Sequence, residues 1–369
     1  VELLKLGSPP GQAGMAPFDL ERAHGLYRAL LGPVEDLIAG KRLLIVPTGP
    51  LASFPFHVLV TEPTGEHSAG YAAAGWLARR HAIGVLPSVA SLRALRRLAR
   101  QSQAKAPFIG FGNPLLTGAD GNDRRAWERQ GCTPSPVQLA VAARRVLPTV
   151  KLVRGGLAEV GTLRRQPPLP ETADEVCAVA RLLGAPEASV QLGAAATERR
   201  IKALSANGVL REVRFVHFAT HGLLASETRQ VGQTRAEPAL VLTPPAQASE
   251  EDDGLLTASE VAQLKLDADW VILSACNTAA GDNLDAEVLS GLARAFFYAG
   301  SRAVLASHWY VDSDATVALV TGTFGELKRN PGLGPAEALR RAMLALIGRG
   351  GPAAHPANWA PFVVVGEGS

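Results

Sequence analysis

The sequence has few of the features that mark secreted disulfide scaffolds or integral membrane proteins. Its 369 residues include 3 cysteines, which are too few and too far apart for a disulfide framework or a four-cysteine metal site. No apolar run approaches the ~18–20 residues that a membrane-spanning helix needs. These absences predict a reducing, intracellular setting. We therefore expect a cytoplasmic protein with no membrane contact.

An excess of positive charge is also absent. The 37 Lys and Arg residues are nearly balanced by 34 Asp and Glu, which leaves a formal net charge of +3. A domain that binds duplex nucleic acid concentrates far more positive charge on one face. We therefore expect no nucleic-acid partner.

The sequence does contain enough apolar material for a large folded core. Hydrophobic residues make up 47% of the chain and charged residues 19%, a balance that excludes a disordered or low-complexity protein. The chain begins at Val1, and we expect the natural N-terminus to lie upstream. Residues 1–18 are predicted to be a linker. Residues 19–105 are predicted to be an N-terminal segment that packs on a main domain at 106–369.

Short β-rich apolar runs alternate with helical patterns along most of the chain. Strands are predicted at 43–46, 108–111, 190–192, 213–219, 270–275, 302–307 and 362–365. Helices are predicted at 19–39, 87–100, 172–183, 197–204, 286–298, 314–328 and 336–347. Continuous apolar strands are typical of sheets covered on both faces. The alternation predicts an α/β fold with a mostly parallel sheet between two layers of helices.

Three local patterns refine this outline. Thr172 with Glu175, and Thr257 with Glu260, have the spacing of a capping box, in which threonine and glutamate satisfy the first amides of a helix. The acidic, proline-bearing stretch 226–254 is predicted to be a mobile loop.

Two predicted strand ends carry residues that could perform chemistry. The strand 213–219 leads into His221, and the strand at 270–275 leads into Cys276. Reactive residues collect just beyond the C-terminal ends of parallel strands, so neighbouring strands would bring these two side chains together. A thiol is a strong nucleophile, and a positioned imidazole can transfer its protons. A cysteine at a strand end is nevertheless more often a small core residue.

The backbone at these strand ends and the nearby histidines offer further candidates for a site. The amides of Gly222 and Cys276 are candidate donors to an oxyanion. His217 and His221 have the spacing of a metal-binding pair, but on a strand that spacing separates them by ~13 Å. His217 is therefore predicted to be a core residue, and His308 is a candidate to line the pocket. No metal site is predicted.

The residues around both strand ends resemble those of a known family. Residues 216–223 are Val-His-Phe-Ala-Thr-His-Gly-Leu, and residues 273–278 are Leu-Ser-Ala-Cys-Asn-Thr. Further matching segments lie at 44–56, 291–296, 308–316 and 355–366. The sequence resembles the CHAT family of caspase-like cysteine peptidases, relatives of caspases and separases. The resemblance covers roughly residues 20–366.

This resemblance implies a fold and a catalytic dyad. The implied fold is a caspase-like three-layer α/β/α sandwich. His221 matches the catalytic histidine and Cys276 the nucleophile, while Gly222 and Cys276 match the residues whose amides form the oxyanion hole. The chain departs from many relatives at Asn277 and at Ala279-Ala280, which do not belong to the dyad but leave the shape of the adjoining loop open. The implied activity is that of a cysteine endopeptidase that acts on a protein substrate and uses no cofactor.

The resemblance also implies where specificity arises. In separase-like peptidases an acidic residue in the region of Asp312 and Asp314 helps to bind a basic side chain, so cleavage after Arg or Lys is expected. Asp282 is a further candidate for substrate binding. The alternative is that Asp312 and Asp314 cap the helix that begins near 314.

The resemblance also bears on regulation, and the sequence is compatible with two alternative functions. Relatives usually carry an upstream repeat or sensor region, so control by such a region or by an activating partner is expected. One alternative is a catalytically silent caspase-fold interaction module that retains the dyad by descent. Another is a cysteine–histidine hydrolase acting on small amides, which would require a narrow, closed pocket.

Overall fold

The secondary structure follows the alternation predicted from the sequence. The computed structural model describes residues 17–63, 70–89, 92, 96, 102–132, 157–223, 228, 237–274, 291–309 and 313–366. The strands are β1 (Leu43–Ile45), β2 (Ile83–Val85), β3 (Ala106–Gly112), β4 (Val190–Leu192), β5 (Val213–Ala219), β6 (Gly222–Leu223), β7 (Ala239–Val241), β8 (Leu255–Thr257), β9 (Trp270–Leu273), β10 (Ala303–Ser307) and β11 (Phe362–Gly366). The α-helices are α1 (Leu20–Leu30), α2 (Glu35–Ile38), α3 (Leu77–Arg80), α4 (Val160–Arg164), α5 (Glu171–Leu183), α6 (Glu198–Ala206), α7 (Ala258–Val261), α8 (Gly291–Ala299), α9 (Ser313–Arg329), α10 (Pro335–Gly348) and α11 (Pro356–Trp359). Short 3-10 helices lie at Gly32–Val34, Gly49–Ser53, Phe56–Val58, Arg125–Glu128, Glu187–Ser189, Gly193–Ala195, Leu210–Glu212 and Gly351–Ala354.

One large sheet organises the molecule. Its 8 strands have the order β1-β2-β11-β10-β9-β5-β3-β4. Neighbouring strands are parallel except at the β10–β11 junction, which is antiparallel. The predicted α/β class with a mostly parallel central sheet is confirmed. Residues 19–105, predicted to pack on the main domain, contribute β1 and β2 to this same sheet.

Helices cover both faces of the sheet, so its strands are buried on each side. Along β9, Trp270 and Ile272 pack with α5, α9 and α10, whereas Val271 and Leu273 pack with α6, α7 and α8. This alternation follows from the pleat, since successive side chains of a strand point to opposite faces. Among the helices of the described ranges, none combines the length and hydropathy needed to cross a bilayer.

Most predicted elements are found within one or two residues of their predicted bounds. The helix predicted at 314–328 is α9, and the one predicted at 336–347 is α10. The capping box of Thr257 and Glu260 is confirmed at the start of α7. Residues 286–290 and most of 87–100 lie outside the described residues, so the helix starts predicted there stay predictions.

The capping box predicted for Thr172 and Glu175 is wrong. Helix α5 begins one residue earlier, with Pro170 at its N-cap and no side-chain cap. The Thr172 hydroxyl donates to the Leu169 carbonyl at 2.7 Å and accepts from the Asn113 amide at 2.8 Å. Glu175 does not cap the helix. Its side chain points into the core, where its carboxylate contacts a residue of the central sheet.

The loop prediction for residues 226–254 also fails where the structure describes that stretch. Residues 237–254 include β7, which pairs antiparallel with β6 and β8 in a second, 3-stranded sheet. The three side chains of β7 are fully buried. After β7, the Glu198 carboxylate accepts from the amides of Asp253 and Gly254 at 2.7 and 3.0 Å. The acidic, proline-bearing composition of this stretch predicted a loop, but the buried contacts of a very short strand stabilise regular structure there.

Two of the cysteines form a disulfide, which the sequence did not predict. Cys132 and Cys177 are bonded, with their Cα atoms 5.4 Å apart and a sequence separation of 45. Cys177 is buried on α5 as expected, but as half of this bridge. The expectation that the cysteines do not pair is therefore wrong. The absence of disulfides no longer supports the prediction of a reducing setting.

Counting thiols tests this bridge. Since 2 of the 3 cysteines are bonded to each other, we expect one titratable thiol in the denatured, non-reduced chain and three after reduction. Closing a loop of this length stabilises a fold by about 2–4 kcal/mol, so reduction should lower the melting temperature. Three thiols before reduction would contradict the bridge. Cys276→Ala, which leaves the bridge intact, is the control and should show no thiol before reduction.

Candidate active site

The two strands that carry the predicted dyad are neighbours. β5 and β9 are parallel, and their register pairs Phe218 with Leu273 near the end of each strand. The chain beyond Ala219 and the chain beyond Leu273 therefore leave the sheet at the same edge. His221 lies at this edge. Cys276, three positions beyond Leu273, lies outside the described residues.

The His221 ring is fully buried and has a fixed orientation. Its Nε2 lies 2.7 Å from the carbonyl oxygen of Pro167. A carbonyl can only accept, so Nε2 carries a proton and donates it. In the neutral ring, Nδ1 then carries the lone pair, as a proton-transfer catalyst requires.

Pro167 makes a contact at this edge that the sequence did not predict. Its contribution is a backbone carbonyl, and patterns of side chains do not reveal carbonyl roles. The one available signal was the run Gln-Pro-Pro-Leu-Pro at 166–170, because consecutive prolines restrict the backbone to extended conformations.

Gly222 presents its amide away from the neighbouring strand. It lies on β6, an edge strand of the second sheet, opposite Leu240. The Val241 amide donates to the His221 carbonyl at 2.9 Å, which makes the next pair, Gly222 and Leu240, a non-hydrogen-bonded pair of the antiparallel ladder. The Gly222 N–H therefore points away from β7, as an oxyanion donor requires.

A buried polar group lies beneath this edge. His217 Nε2 is 2.9 Å from Glu175 Oε1, and the Ser274 hydroxyl donates to the same oxygen at 2.5 Å. His217 is fully buried, so its prediction as a core residue is confirmed. Its partner is a carboxylate, which the sequence reasoning had assigned to a helix cap.

Two further histidines are buried near one another. His57 and His308 are 1% and 8% exposed, and none of their four ring nitrogens has a hydrogen-bond partner. Burial lowers the pKa of His57 to about 3, with a smaller contribution from the proximity of His308. Burial likewise lowers the pKa of His308 to about 4. Both rings are therefore neutral at pH 7.

Of the three predicted specificity acids, only Asp314 is described. It is exposed in the first turn of α9, where a carboxylate is also favourable to the helix dipole. Asp312 and Asp282 lie outside the described residues, so their substrate-binding roles stay predictions. Nearby, the Trp309 indole donates to the Ala357 carbonyl at 3.2 Å. Among the described residues, no three histidine, cysteine or acidic side chains are placed to hold a metal ion.

Comparisons with known proteins address the family and the architecture. The structure is similar to that of the Arg-specific cysteine proteinase gingipain R, with 10% identity and a TM-score of 0.46 over 100% of this chain and 70% of that chain. It is also similar to the complex of the RgpB pro- and mature domains from Porphyromonas gingivalis, with 11% identity and a TM-score of 0.41 over 78% of this chain and 55% of that chain. No curated protein matches the sequence. The CHAT domain family matches residues 20–367, and the chain belongs to that family.

Proposed function

We propose that the chain is a cysteine endopeptidase in which Cys276 is the nucleophile and His221 the proton-transfer group. The observation that carries this proposal is the orientation of the His221 ring by the Pro167 carbonyl. That contact gives the imidazole one defined tautomer at the edge of the sheet where β9 ends, three positions before Cys276 in sequence. A backbone carbonyl also orients the buried His81, so the feature that distinguishes His221 is its place at the edge where β5 and β9 end.

The proposed reaction is an acyl transfer through the thiolate. The Cys276 sulfur attacks the peptide carbonyl carbon, and the negative charge develops on the carbonyl oxygen, where the amides of Gly222 and Cys276 donate. His221 delivers a proton to the leaving amine as the carbon–nitrogen bond breaks. Water then attacks the thioester, the sulfur leaves as thiolate, and the acid product is released.

The proposed substrate is a protein segment with Arg or Lys on the acyl side of the scissile bond. This preference comes from the family resemblance and assigns the recognition of the basic side chain to Asp312 and Asp314, with Asp282 at the rim. The exposure of Asp314 on α9 agrees with that role. Control by an upstream repeat or sensor region is part of the same proposal.

Cleavage of a mixed peptide library tests the proposal. The chain and its Cys276→Ala variant would be incubated with the library, and new termini would be identified by mass spectrometry. We expect cleavage after Arg and Lys by the unchanged chain and none by the variant. Ser301→Ala, a substitution of a similar small buried residue far from the edge, is the matched control and should cleave normally.

The other outcomes separate the alternatives. Cleavage that depends on Cys276 but follows other residues would retain the dyad and reject the three aspartates. Silence of the library, combined with failure of an electrophilic Arg-peptide to label Cys276, would favour the interaction module. Labelling of Cys276 without cleavage would indicate a latent peptidase that requires its upstream region.

A further inference from the structure

We propose that the buried pair Glu175 and His217, acting through Ser274, is a positioning device for the nucleophile. The inference rests on the proposed function, because it assigns these residues to the edge where Cys276 would act. None of the three is proposed to touch the substrate. Their role is to fix Ser274, which directly follows β9 and lies two residues before Cys276.

Because the three side chains are buried away from water, their polar groups must find their partners among one another. Glu175, His217 and Ser274 are 1%, 0% and 9% exposed. A carboxylate in such a place is costly unless a proton or a positive charge compensates it. His217 Nε2 lies 2.9 Å from Glu175 Oε1, close enough for the two ionisable side chains to compensate one another.

The sheet is shaped to admit this carboxylate. Gly110 on β3 lies beside His217 in the strand register. A Cβ at Gly110 would overlap the side chains of Val176 and Phe108. The absence of a side chain therefore lets α5 approach the sheet closely, at the point where Glu175 must reach across to β5 and β9.

Ser274 is held from two directions. Its amide donates to the Phe218 carbonyl at 2.9 Å, which ties it to β5, the strand that leads to His221. Its hydroxyl donates to Glu175 on α5 at 2.5 Å. The residue from which the chain departs toward Cys276 is therefore fixed by both the sheet and the helix layer.

Positioning, rather than stability, is the role that such a group fills best. Replacement of a buried ion pair by apolar residues of similar volume is often neutral or stabilising. An apolar replacement would fill the space but would not hold the Ser274 hydroxyl. Reacting groups displaced by about 1 Å can lose ~10²-fold in rate, so a fixed exit from β9 has a large kinetic value.

The first test is kinetic. We expect Ser274→Ala, and separately the double variant Glu175→Leu/His217→Phe, to lower kcat about 10- to 100-fold with KM changed less than about twofold. The two effects should not add, since both break the same connection. The single variant His217→Phe should also lower kcat, and His217→Gln, which retains a polar group beside Glu175, should lower it less.

A matched control separates this role from a general effect of polar burial. Ser301 is also buried, and its hydroxyl donates to the Ala303 carbonyl at 2.6 Å before the start of β10, at the opposite edge of the sheet. Ser301→Ala should therefore leave kcat unchanged. Equal losses in Ser301→Ala and Ser274→Ala would overturn the proposal.

Hydrogen exchange supplies a second measurement that does not require peptidase activity. In the Ser274→Ala and double variants, amides of residues 274–280 should exchange at least about 10-fold faster, with the rest of the chain unchanged. If the unchanged chain neither cleaves a peptide nor is labelled at Cys276, the proposed function fails, and exchange alone decides the positioning role. Folded variants with normal exchange of this segment would overturn it.

Discussion

Replacing His221 by alanine is expected to lower kcat/KM for peptide cleavage by about 10²- to 10⁴-fold, the usual contribution of a positioned acid–base group. The reason is specific to the ring. Its Nε2–H donates to the Pro167 carbonyl, so in the neutral ring Nδ1 carries the lone pair that proton transfer requires. The measurement is steady-state cleavage of the best peptide from the library.

A matched histidine distinguishes catalysis from damage to the fold. His81 is also buried, and its Nδ1 lies 2.8 Å from a backbone carbonyl, that of Lys41, in the N-terminal part of the chain. His81→Ala and His221→Ala should lower the melting temperature by comparable amounts, because each leaves a cavity and an unpaired carbonyl. Only His221→Ala should lose activity. Retained cleavage in His221→Ala would contradict its catalytic role.

Acidification is expected to destabilise the protein strongly through His57 and His308. Their pKa values of about 3 and about 4 lie below the ordinary value of 6.5, so the unfolded chain binds more protons once the pH falls below that value. Each histidine then lowers the free energy of unfolding by about 1.4 kcal/mol per pH unit down to its folded pKa. At pH 5 the two together cost about 4 kcal/mol relative to neutral pH.

The double variant His57→Leu/His308→Leu isolates this effect. Urea unfolding of both proteins from pH 7.5 to 4.5 should give a stability difference that grows in favour of the variant as the pH falls. Other titrating groups cancel in the difference, including Glu198, whose pKa burial raises to about 8. Each single variant should show about half of the effect. Parallel curves for wild type and double variant would contradict the assignment.

Seven of the 8 strands of the central sheet could be predicted because their sequences are rich in apolar residues over most of their length, whereas β2, the three residues Ile83–Val85, was missed. β11 consists of Phe-Val-Val-Val-Gly, and β9 of Trp-Val-Ile-Leu. Such runs suit a strand covered on both faces and few other structures. The placement of His221 followed from the same signal, since a residue just beyond a parallel strand lies at a defined edge of the sheet.

The contacts that orient the site could not be predicted, because they join residues far apart in sequence. Thr172 and Glu175 have the local pattern of a helix cap, yet His217, 42 positions later, provides a better partner for the carboxylate. The bridge between Cys132 and Cys177 spans 45 residues with no local sign of pairing. The Pro167 carbonyl is invisible in any pattern of side chains. Local sequence therefore identified the chemical groups, and tertiary structure determines their orientation.

The single antiparallel junction between β10 and β11 has a consequence for folding of the chain during its synthesis on the ribosome. β11 pairs parallel with β2 on its other side, so the strand of this sheet that comes latest in the sequence lies between β2, an early strand, and β10, a late one. Until residues 362–366 emerge from the ribosome, β2 lacks this neighbour, and the backbone N–H and C=O groups along one of its edges stay unpaired. Contacts of such long sequence separation form slowly. β1 and β2 therefore complete their packing only after residues 362–366 have been translated, although they precede the other strands of this sheet in the sequence.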